Sequence, residues 1–542
     1  MSFDIKRFFP FDTIREQQQD AIDFTLDAFL NKKKRFVVLE LGTGVGKSAV
    51  ALTVAKYIDS VTETTAETET GFLPGAYFLT TQKILQEQYM SDFGAPKGKL
   101  VSIKSSENYE CRFNEKSSCG ESMRAIPYQK GTPFFHACMN NCRYRDAKKA
   151  FINSREGITN FSYFLAESKY AGKITPRDLL VIDEAHNIEL ELSKFIELTI
   201  SERFATTVLK VSWPQVSTEK AAVKWLIDVY KPKLVEHMKH IQGMLEKYSG
   251  LKEKLNELTN FSKQNSLLDK HVCKINRFLE IFDEENWVLN IIEASGKSMQ
   301  KLEFKPIDVS KYADEALFRY GQNVILMSAT ILDKDAYCQS LGISQSDVEF
   351  LSVESPFPPE NRPVFYVPVG KMGKDDLSKT LPKLASTIKS LLEQHKNDRG
   401  VIHCHTYQIS SYLKQNIKSR RLLVHDSLNK EEILKKHADS KNSVLLSPSS
   451  TEGLDLKDDL SRFQIICKLP FPFLGDKLVR KRMKKHSWWY PYQTTKTIIQ
   501  ALGRSVRNQD DHAVSYILDG NWQHFYDMNC HLFPISFKKV LQ

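Results

Sequence analysis

Short uninterrupted apolar runs punctuate the first part of the chain. Phe36-Val37-Val38-Leu39, Ala76-Tyr77-Phe78-Leu79-Thr80-Thr81, Leu179-Leu180-Val181-Ile182 and Asn323-Val324-Ile325-Leu326-Met327 each read as a buried strand. A helix is predicted from Asp20-Ala21-Ile22-Asp23-Phe24-Thr25-Leu26, ahead of the first run. Val61 to Thr70 is rich in Thr and Glu and reads as a solvated loop. From about 200 to 302 the period changes. Leu234, Met238, Ile241, Leu245 and Tyr248 recur at helical spacing, as do Ile275, Phe278, Leu279 and Phe282. This predicts a helical domain inserted between strands of the first α/β domain. From about 336 strands and helices alternate again, with strand candidates at Val401-Ile402-His403-Cys404, Ser443-Val444-Leu445-Leu446 and Phe463-Gln464-Ile465-Ile466. They predict a second doubly wound domain without a phosphate loop of its own.

Two of the runs end in chemistry. After Phe36–Leu39 comes Glu40-Leu41-Gly42-Thr43-Gly44-Val45-Gly46-Lys47-Ser48, followed by the helical Ala49-Val50-Ala51-Leu52. Strand, glycine-rich turn and helix form the context of a phosphate-binding loop, although Leu41 stands where Gly or Ala is usual. Glycines let backbone N–H groups approach phosphate oxygens, and the helix N-terminus favours the anion. Lys47 then reaches the β- and γ-phosphates, and the Ser48 hydroxyl binds Mg²⁺. The run Leu179–Ile182 ends in Asp183-Glu184-Ala185-His186. Carboxylates at the C-terminal end of a parallel strand face the nucleotide crevice. Asp183 would hold Mg²⁺ and Glu184 would orient and deprotonate the attacking water. Alone, this segment reads equally as a strand before an acidic helix cap.

Composition narrows the class. The chain has 542 residues, enough for several domains, and 41% of them are hydrophobic, which excludes a largely disordered protein. No apolar run approaches the ~20 residues that span a bilayer, and Met1-Ser2-Phe3-Asp4-Ile5-Lys6 is not a signal peptide. A net charge of +10 fits a polyanionic partner or simple solubility. Of nine cysteines, Cys111, Cys119, Cys138 and Cys142 are grouped; the rest read as ordinary buried thiols.

Ser328-Ala329-Thr330 follows a strand, where small hydroxyl residues can couple the nucleotide to the neighbouring domain. Gln500-Ala501-Leu502-Gly503-Arg504-Ser505-Val506-Arg507 is predicted helical, which puts Arg504 and Arg507 on one face. Two arginines across a cleft suit the charge of a transferring phosphoryl group; a basic helix surface is the plain alternative.

In order along the chain these motifs resemble the XPD/DinG family of superfamily 2 DNA helicases. Arg15-Glu16-Gln17-Gln18 is similar to the family's Arg-x-x-Gln element at the nucleotide base. Glu40–Ser48 resembles motif I, Thr80-Thr81-Gln82 motif Ia, Asp183–His186 motif II and Ser328–Thr330 motif III. Ser355-Pro356-Phe357 is similar to an element entering the second motor domain, Glu452-Gly453-Leu454-Asp455 resembles motif V, and Gln500–Arg507 motif VI. The resemblance implies a nucleotide site built from Arg15, Gln18, Gly42, Thr43, Gly44, Gly46, Lys47, Ser48, Gly453 and Asp455, with Gln500, Arg504 and Arg507 joining Lys47, Asp183 and Glu184 in hydrolysis.

The grouped cysteines are spaced Cys-x7-Cys-x18-Cys-x3-Cys. Ser105 to Cys111 and Cys142 to Ala147 are similar to the two ends of the family's iron–sulfur insertion. Four thiolates suit a [4Fe–4S] cluster. Structural zinc is the rival, although x7 is long for a zinc knuckle, and unliganded thiols are a third possibility. Lys97, Lys99, Lys104, Arg143, Arg145, Lys148 and Lys149 flank the group, with Tyr109, Tyr128, Phe134, Phe135 and Tyr144 among them. They suit a single strand's phosphates and bases, or a solvated face with aromatics packed on the cluster.

The expected fold is α/β with two RecA-like motor domains. The first covers 1–100, 160–200 and 303–335. It carries an Fe–S insertion at 101–159 and a helical arch at 201–302; the second covers 336–542. The resemblance implies an intracellular (nucleoid-associated or nuclear), monomeric, ATP- and Mg²⁺-dependent helicase. It would translocate 5′→3′ on single-stranded DNA and open forked or 5′-overhang duplexes. No membrane partner and no nuclease domain after motif VI are expected. A translocase that strips protein or RNA, or a non-enzymatic binding subunit, stays open.

Overall fold

The computed structural model describes residues 3–62, 71–114, 117–168, 174–251, 254–294, 298–424, 429–448, 458–506 and 511–542. The apolar runs assemble into two wholly parallel sheets. In the first, the spatial order is Val348–Val353, Phe36–Leu41, Gly321–Ser328, Arg177–Asp183, Leu73–Thr80, Glu156–Asn160 and Val101–Ser102. Phe36–Leu41 and Arg177–Asp183 are buried along their full length, which is why they read as continuous rather than alternating apolar runs.

Successive side chains still part to opposite faces. Val37, Leu39, Val181, Ile325 and Met327 pack under the helices Glu16–Leu30 and Lys47–Val61. Val38, Leu180, Ile182, Val324 and Leu326 face the opposite core, with Phe161, Ile188, Leu192 and Ala313. The second sheet runs Val364–Gly370, Val514–Asp519, Phe463–Ile466, Gly400–His403, Val444–Ser447 and Leu422–Val424.

Three sequence expectations shift. The strand Val348–Val353 pairs in register with Phe36–Leu41. The chain therefore stays in the first sheet well past the 335/336 boundary, and Tyr337, Cys338 and Leu341 belong to the first core. Val101–Ser102 and Glu156–Asn160 are likewise strands of the first sheet, so the cysteine-bearing insert is narrower than 101–159. The second insert is not purely helical. Its helices Lys231–Tyr248 and Leu255–Ile281 stand on an antiparallel sheet of Leu198–Ser201, Lys301–Pro306 and Trp287–Ile292. Leu302 and Phe304 are buried between more exposed Lys301, Glu303 and Lys305, the signature of a strand with one face covered.

The two inserts touch. Ala125, Ile126, Phe134 and Cys138 share an apolar cluster with Leu245, Leu258 and Leu268. The Tyr128 carbonyl accepts hydrogen bonds from Ser249 Oγ (2.9 Å) and the Gly250 N–H (3.1 Å).

Candidate active site

Parallel strands deliver their C-terminal ends to one edge, and the chemistry collects there. The loop after Phe36–Leu41 turns through Gly44 and Gly46 at φ 91° and 92°, a backbone state that glycine adopts without strain. Helix Glu16–Leu30 grips the loop from outside. Arg15 donates to the Gly44 carbonyl (2.7 Å) and Gln18 Nε2 to the Val45 carbonyl (2.8 Å). Ser355 Oγ donates to the Thr43 carbonyl at 2.7 Å. The N–H and C=O of a trans peptide point opposite ways, so carbonyls held outward turn the following N–H groups inward. Arg15 and Gln18, expected at a nucleotide base, thus hold the phosphate loop itself.

Across one strand stands Asp183, only 5% exposed. Its Oδ1 accepts the Glu184 N–H (2.9 Å) and its Oδ2 accepts the Tyr89 hydroxyl (3.0 Å). Burial first, and Glu184 next, raise its pKa; Lys47 opposes them. A cation at this point would offset the burial of the carboxylate. Ser48 and Asp183 supply the hydroxyl and carboxylate oxygens that suit Mg²⁺.

Glu184 adopts a left-handed backbone (φ 53°), and its side chain lies 3.3 Å from His186 Nδ1. His186 Nδ1 also lies 2.8 Å from Ser328 Oγ, which accepts the Thr330 N–H at 3.0 Å. Gln500 Nε2, from the second sheet's side, donates to Thr330 Oγ1 at 3.2 Å. Polar contacts therefore run from the carboxylate pair through His186, Ser328 and Thr330 into the second domain.

A cleft of about 1250 Å³ lies between the two halves. Lys47, Ser48, Asp183 and Glu184 line one wall, and Gln464, Gln500 and Arg504 the other. The helix predicted through Arg507 ends earlier. It spans Trp489–Leu502 with Gly503 as its cap, so Arg504 sits on the turn beyond it. The shared helical face argued for Arg504 and Arg507 therefore does not apply. Arg507, Gly453 and Asp455 lie outside the described residues.

Sequence reasoning gave no role to Glu40, Tyr89 or Lys496. Glu40 is 8% exposed and accepts from the N–H groups of Ile331 (2.8 Å) and Leu332 (2.7 Å) and from Ser352 Oγ (2.9 Å). It ties the phosphate-loop strand to the backbone just past Thr330. Three donors offset a desolvation cost of several kcal/mol for a buried carboxylate. An acidic residue at the end of an apolar strand was its one visible signal. Tyr89 and Lys496, whose Nζ donates to the His186 carbonyl (3.4 Å), carried none.

Cys111, Cys119, Cys138 and Cys142 are all buried and line one cavity of about 80 Å³. Local helices bring them there. Ser118 caps Cys119–Ala125, Thr132 caps Pro133–Asn140, and Cys142 is the residue before Arg143–Asn153. Among the described residues no three His, Cys, Asp or Glu side chains are grouped so as to hold a metal ion. What the fold supplies is four thiols on a shared cavity. Burial pushes the Cys119 and Cys138 thiols up to about 11 each. Several flanking charges are already paired: Lys104 with Glu87 (2.7 Å), Arg143 with Glu110 (3.3 Å) and Lys148 with Glu167. Phe134 and Tyr144 are buried, with Tyr144 packed edge-on against Tyr109, so these rings line the insert rather than a strand path.

Comparison with known proteins gives the same frame. Residues 388–524 match the family described as helicase C-terminal domain, and residues 12–212 that described as type III restriction enzyme, res subunit. A probable ATP-dependent helicase of Methanocaldococcus jannaschii is 21% identical, over 95% of this chain and 93% of its own length. The ATP-dependent DNA helicase YoaA of Haemophilus influenzae is 22% identical, over 96% and 92%. The solved structure of an XPD helicase superposes with a TM-score of 0.64 at 16% identity, covering 96% of this chain and 99% of that one. The S. tokodaii Xpd4 structure gives 0.58 at 14% identity, covering 97% and 100%.

Proposed function

We propose, for a chain that belongs to the XPD/DinG-like family of superfamily 2 helicases and is an ATP-dependent helicase, a motor that moves 5′→3′ on single-stranded DNA and opens forked or 5′-overhang duplexes. The carrying observation is the cleft: a glycine loop with Lys47 and Ser48, the carboxylates Asp183 and Glu184, and Gln500 and Arg504 facing them from the other half. Lys47 neutralises the β- and γ-phosphates, Ser48 and Asp183 hold Mg²⁺, and Glu184 takes the proton of the attacking water. Arg504 meets charge on the transferring phosphoryl group once the cleft closes. On the family resemblance, Gly453 and Asp455 take part in nucleotide binding and Arg507 in hydrolysis. The motor works as a monomer among nucleic acids, in the nucleoid or nucleus. Among the described residues no helix is long and apolar enough to cross a membrane. YoaA of Haemophilus influenzae and DinG of Photobacterium profundum are named DNA helicases, which supports DNA as the track.

The contacts Glu184–His186–Ser328–Thr330–Gln500 are the route by which a change at the γ-phosphate reaches the second domain. Ser328→Ala removes the hydroxyl that joins His186 to the Thr330 N–H, a loss of about tenfold. Unwinding should fall by that factor while hydrolysis falls less, so more ATP is spent per base pair opened. Equal losses in both would remove the coupling role.

The four cysteines are proposed to hold a [4Fe–4S] cluster, with zinc as the lesser alternative. Their convergence on one cavity supports it. Bound there, the cluster acts as a structural staple. The long helices Lys231–Tyr248 and Leu255–Ile281 that meet the insert are proposed as the arch over the DNA path.

The deciding experiment is ATP hydrolysis measured in parallel with single-stranded DNA, duplex DNA and RNA, beside strand displacement and streptavidin displacement. Stimulation by single-stranded DNA, abolished in Lys47→Ala, is expected, together with strand displacement. Streptavidin displacement without unwinding would make the chain a remodeller, and no hydrolysis with any nucleic acid would make it a binding subunit.

A further inference from the structure

We infer that Tyr89 is a positioning residue that holds the Mg²⁺-binding carboxylate of Asp183 and links its geometry to the nucleic-acid side of the molecule through the helix Lys83–Phe93. This rests on the motor proposed above, in which nucleic acid accelerates hydrolysis.

Tyr89 is 3% exposed, yet it carries a hydroxyl into the wall of the catalytic cleft. That hydroxyl donates to Asp183 Oδ2 at 3.0 Å. It therefore touches a carboxylate assigned to Mg²⁺. Asp183 Oδ1 is already engaged by the Glu184 N–H. With a directional donor on each oxygen, the carboxylate plane is fixed before any metal arrives. The Tyr89 ring has little freedom of its own. It packs against Phe78 (centroids 6.2 Å apart) and edge-on against Phe93 (5.9 Å).

The helix bearing Tyr89 is attached elsewhere at three points. Lys83 Nζ donates to Asn108 Oδ1 (3.0 Å) and Glu87 accepts from Lys104 Nζ (2.7 Å), both on the segment leading into the cysteine insert. Gln86, wholly buried, donates to Ser102 Oγ (2.7 Å) and to the Ile103 carbonyl (2.9 Å). Gln82, Ile84, Leu85 and Gln88 line the cleft mouth. A rigid helix contacted by the insert on one side and by Asp183 on the other carries a displacement between them. A strand bound beside the insert that moves Lys83–Phe93 must move the Tyr89 hydroxyl against Asp183.

Tyr89→Phe removes one oxygen and keeps the packing. Two readouts test it: the Mg²⁺ dependence of ATP hydrolysis with and without single-stranded DNA, and Mn²⁺ binding to the protein–ADP complex by electron paramagnetic resonance. The half-saturating Mg²⁺ and the Mn²⁺ dissociation constant are both expected to rise about 10- to 100-fold, the usual effect of losing a partner behind a metal ligand. The fold-stimulation by DNA is expected to shrink. Glu87→Gln, on the surface, should lower the stimulation without changing Mn²⁺ binding. Wild-type metal affinity in Tyr89→Phe overturns the inference, and so does weakened metal binding with stimulation intact in both variants. If the wild-type protein is stimulated by no nucleic acid, the motor itself is wrong and with it the link, while Mn²⁺ binding still decides whether Tyr89 positions Asp183.

Discussion

Glu184→Gln is expected to bind ATP as tightly as the wild-type protein and to hydrolyse it about 10²- to 10⁴-fold more slowly, the range for loss of a general base. The phosphate cradle does not involve this side chain. Gly44 and Gly46 shape the loop, Arg15, Gln18 and Ser355 hold its carbonyls, and Lys47 begins the following helix. Glu184 stands at the end of the next strand but one, in a left-handed conformation that aims its carboxylate away from the strand axis and beside His186. An amide in its place keeps the size and loses the base. Binding of a fluorescent ATP analogue, set beside single-turnover hydrolysis, separates the two effects. Hydrolysis at the wild-type rate would remove Glu184 from the proposed role. A matching loss of binding would make it part of the cradle.

Much of the cleft's lining was legible because it is local in sequence. A glycine turn must sit between its strand and helix, and an acidic pair must follow its strand, so both appear as contiguous words. Strands buried on both faces announce themselves as unbroken apolar runs, and Phe36–Leu41 and Arg177–Asp183 are of that kind. What was not legible depends on chain returning from far away. Val348–Val353 joins the first sheet beside Phe36–Leu41, across more than 300 residues, and no local pattern says which sheet an edge strand will enter. Tyr89 meets Asp183, and Glu40 meets Leu332, through tertiary packing alone. The antiparallel sheet under the second insert was legible and missed. Lys301-Leu302-Glu303-Phe304-Lys305 alternates cleanly, but the strong helical stripes before it set the wrong period for the whole segment. The helix before Arg504 stops at Gly503, where a glycine cap was the available signal.

Single Cys→Ser substitutions at Cys111, Cys119, Cys138 or Cys142 are expected to abolish unwinding while leaving nucleotide binding in place. Cys119 and Cys142 belong to the core beneath the first sheet, whereas Cys138 belongs to the apolar cluster shared with the long helices Lys231–Tyr248 and Leu255–Ile281. The cavity they line is thus a junction between two separately packed cores. An insert of a few short helices buries little apolar surface, so the proposed group on all four thiols would supply folding energy at that junction. Removing one of the proposed ligands would then free the insert from the long helices. It does not reach the phosphate loop, whose helix packs in a different core with Leu39 and Val181. Anaerobically purified protein should be yellow-brown with broad absorbance near ~400 nm, as for Cys-ligated iron–sulfur centres. Elemental analysis should find iron and sulfide, and each substitution should bleach the colour. Colourless protein with one zinc per chain would replace the cluster by a zinc staple. Bleached protein that still unwinds DNA would show that packing between Phe134, Cys138 and Leu245 holds the junction without metal.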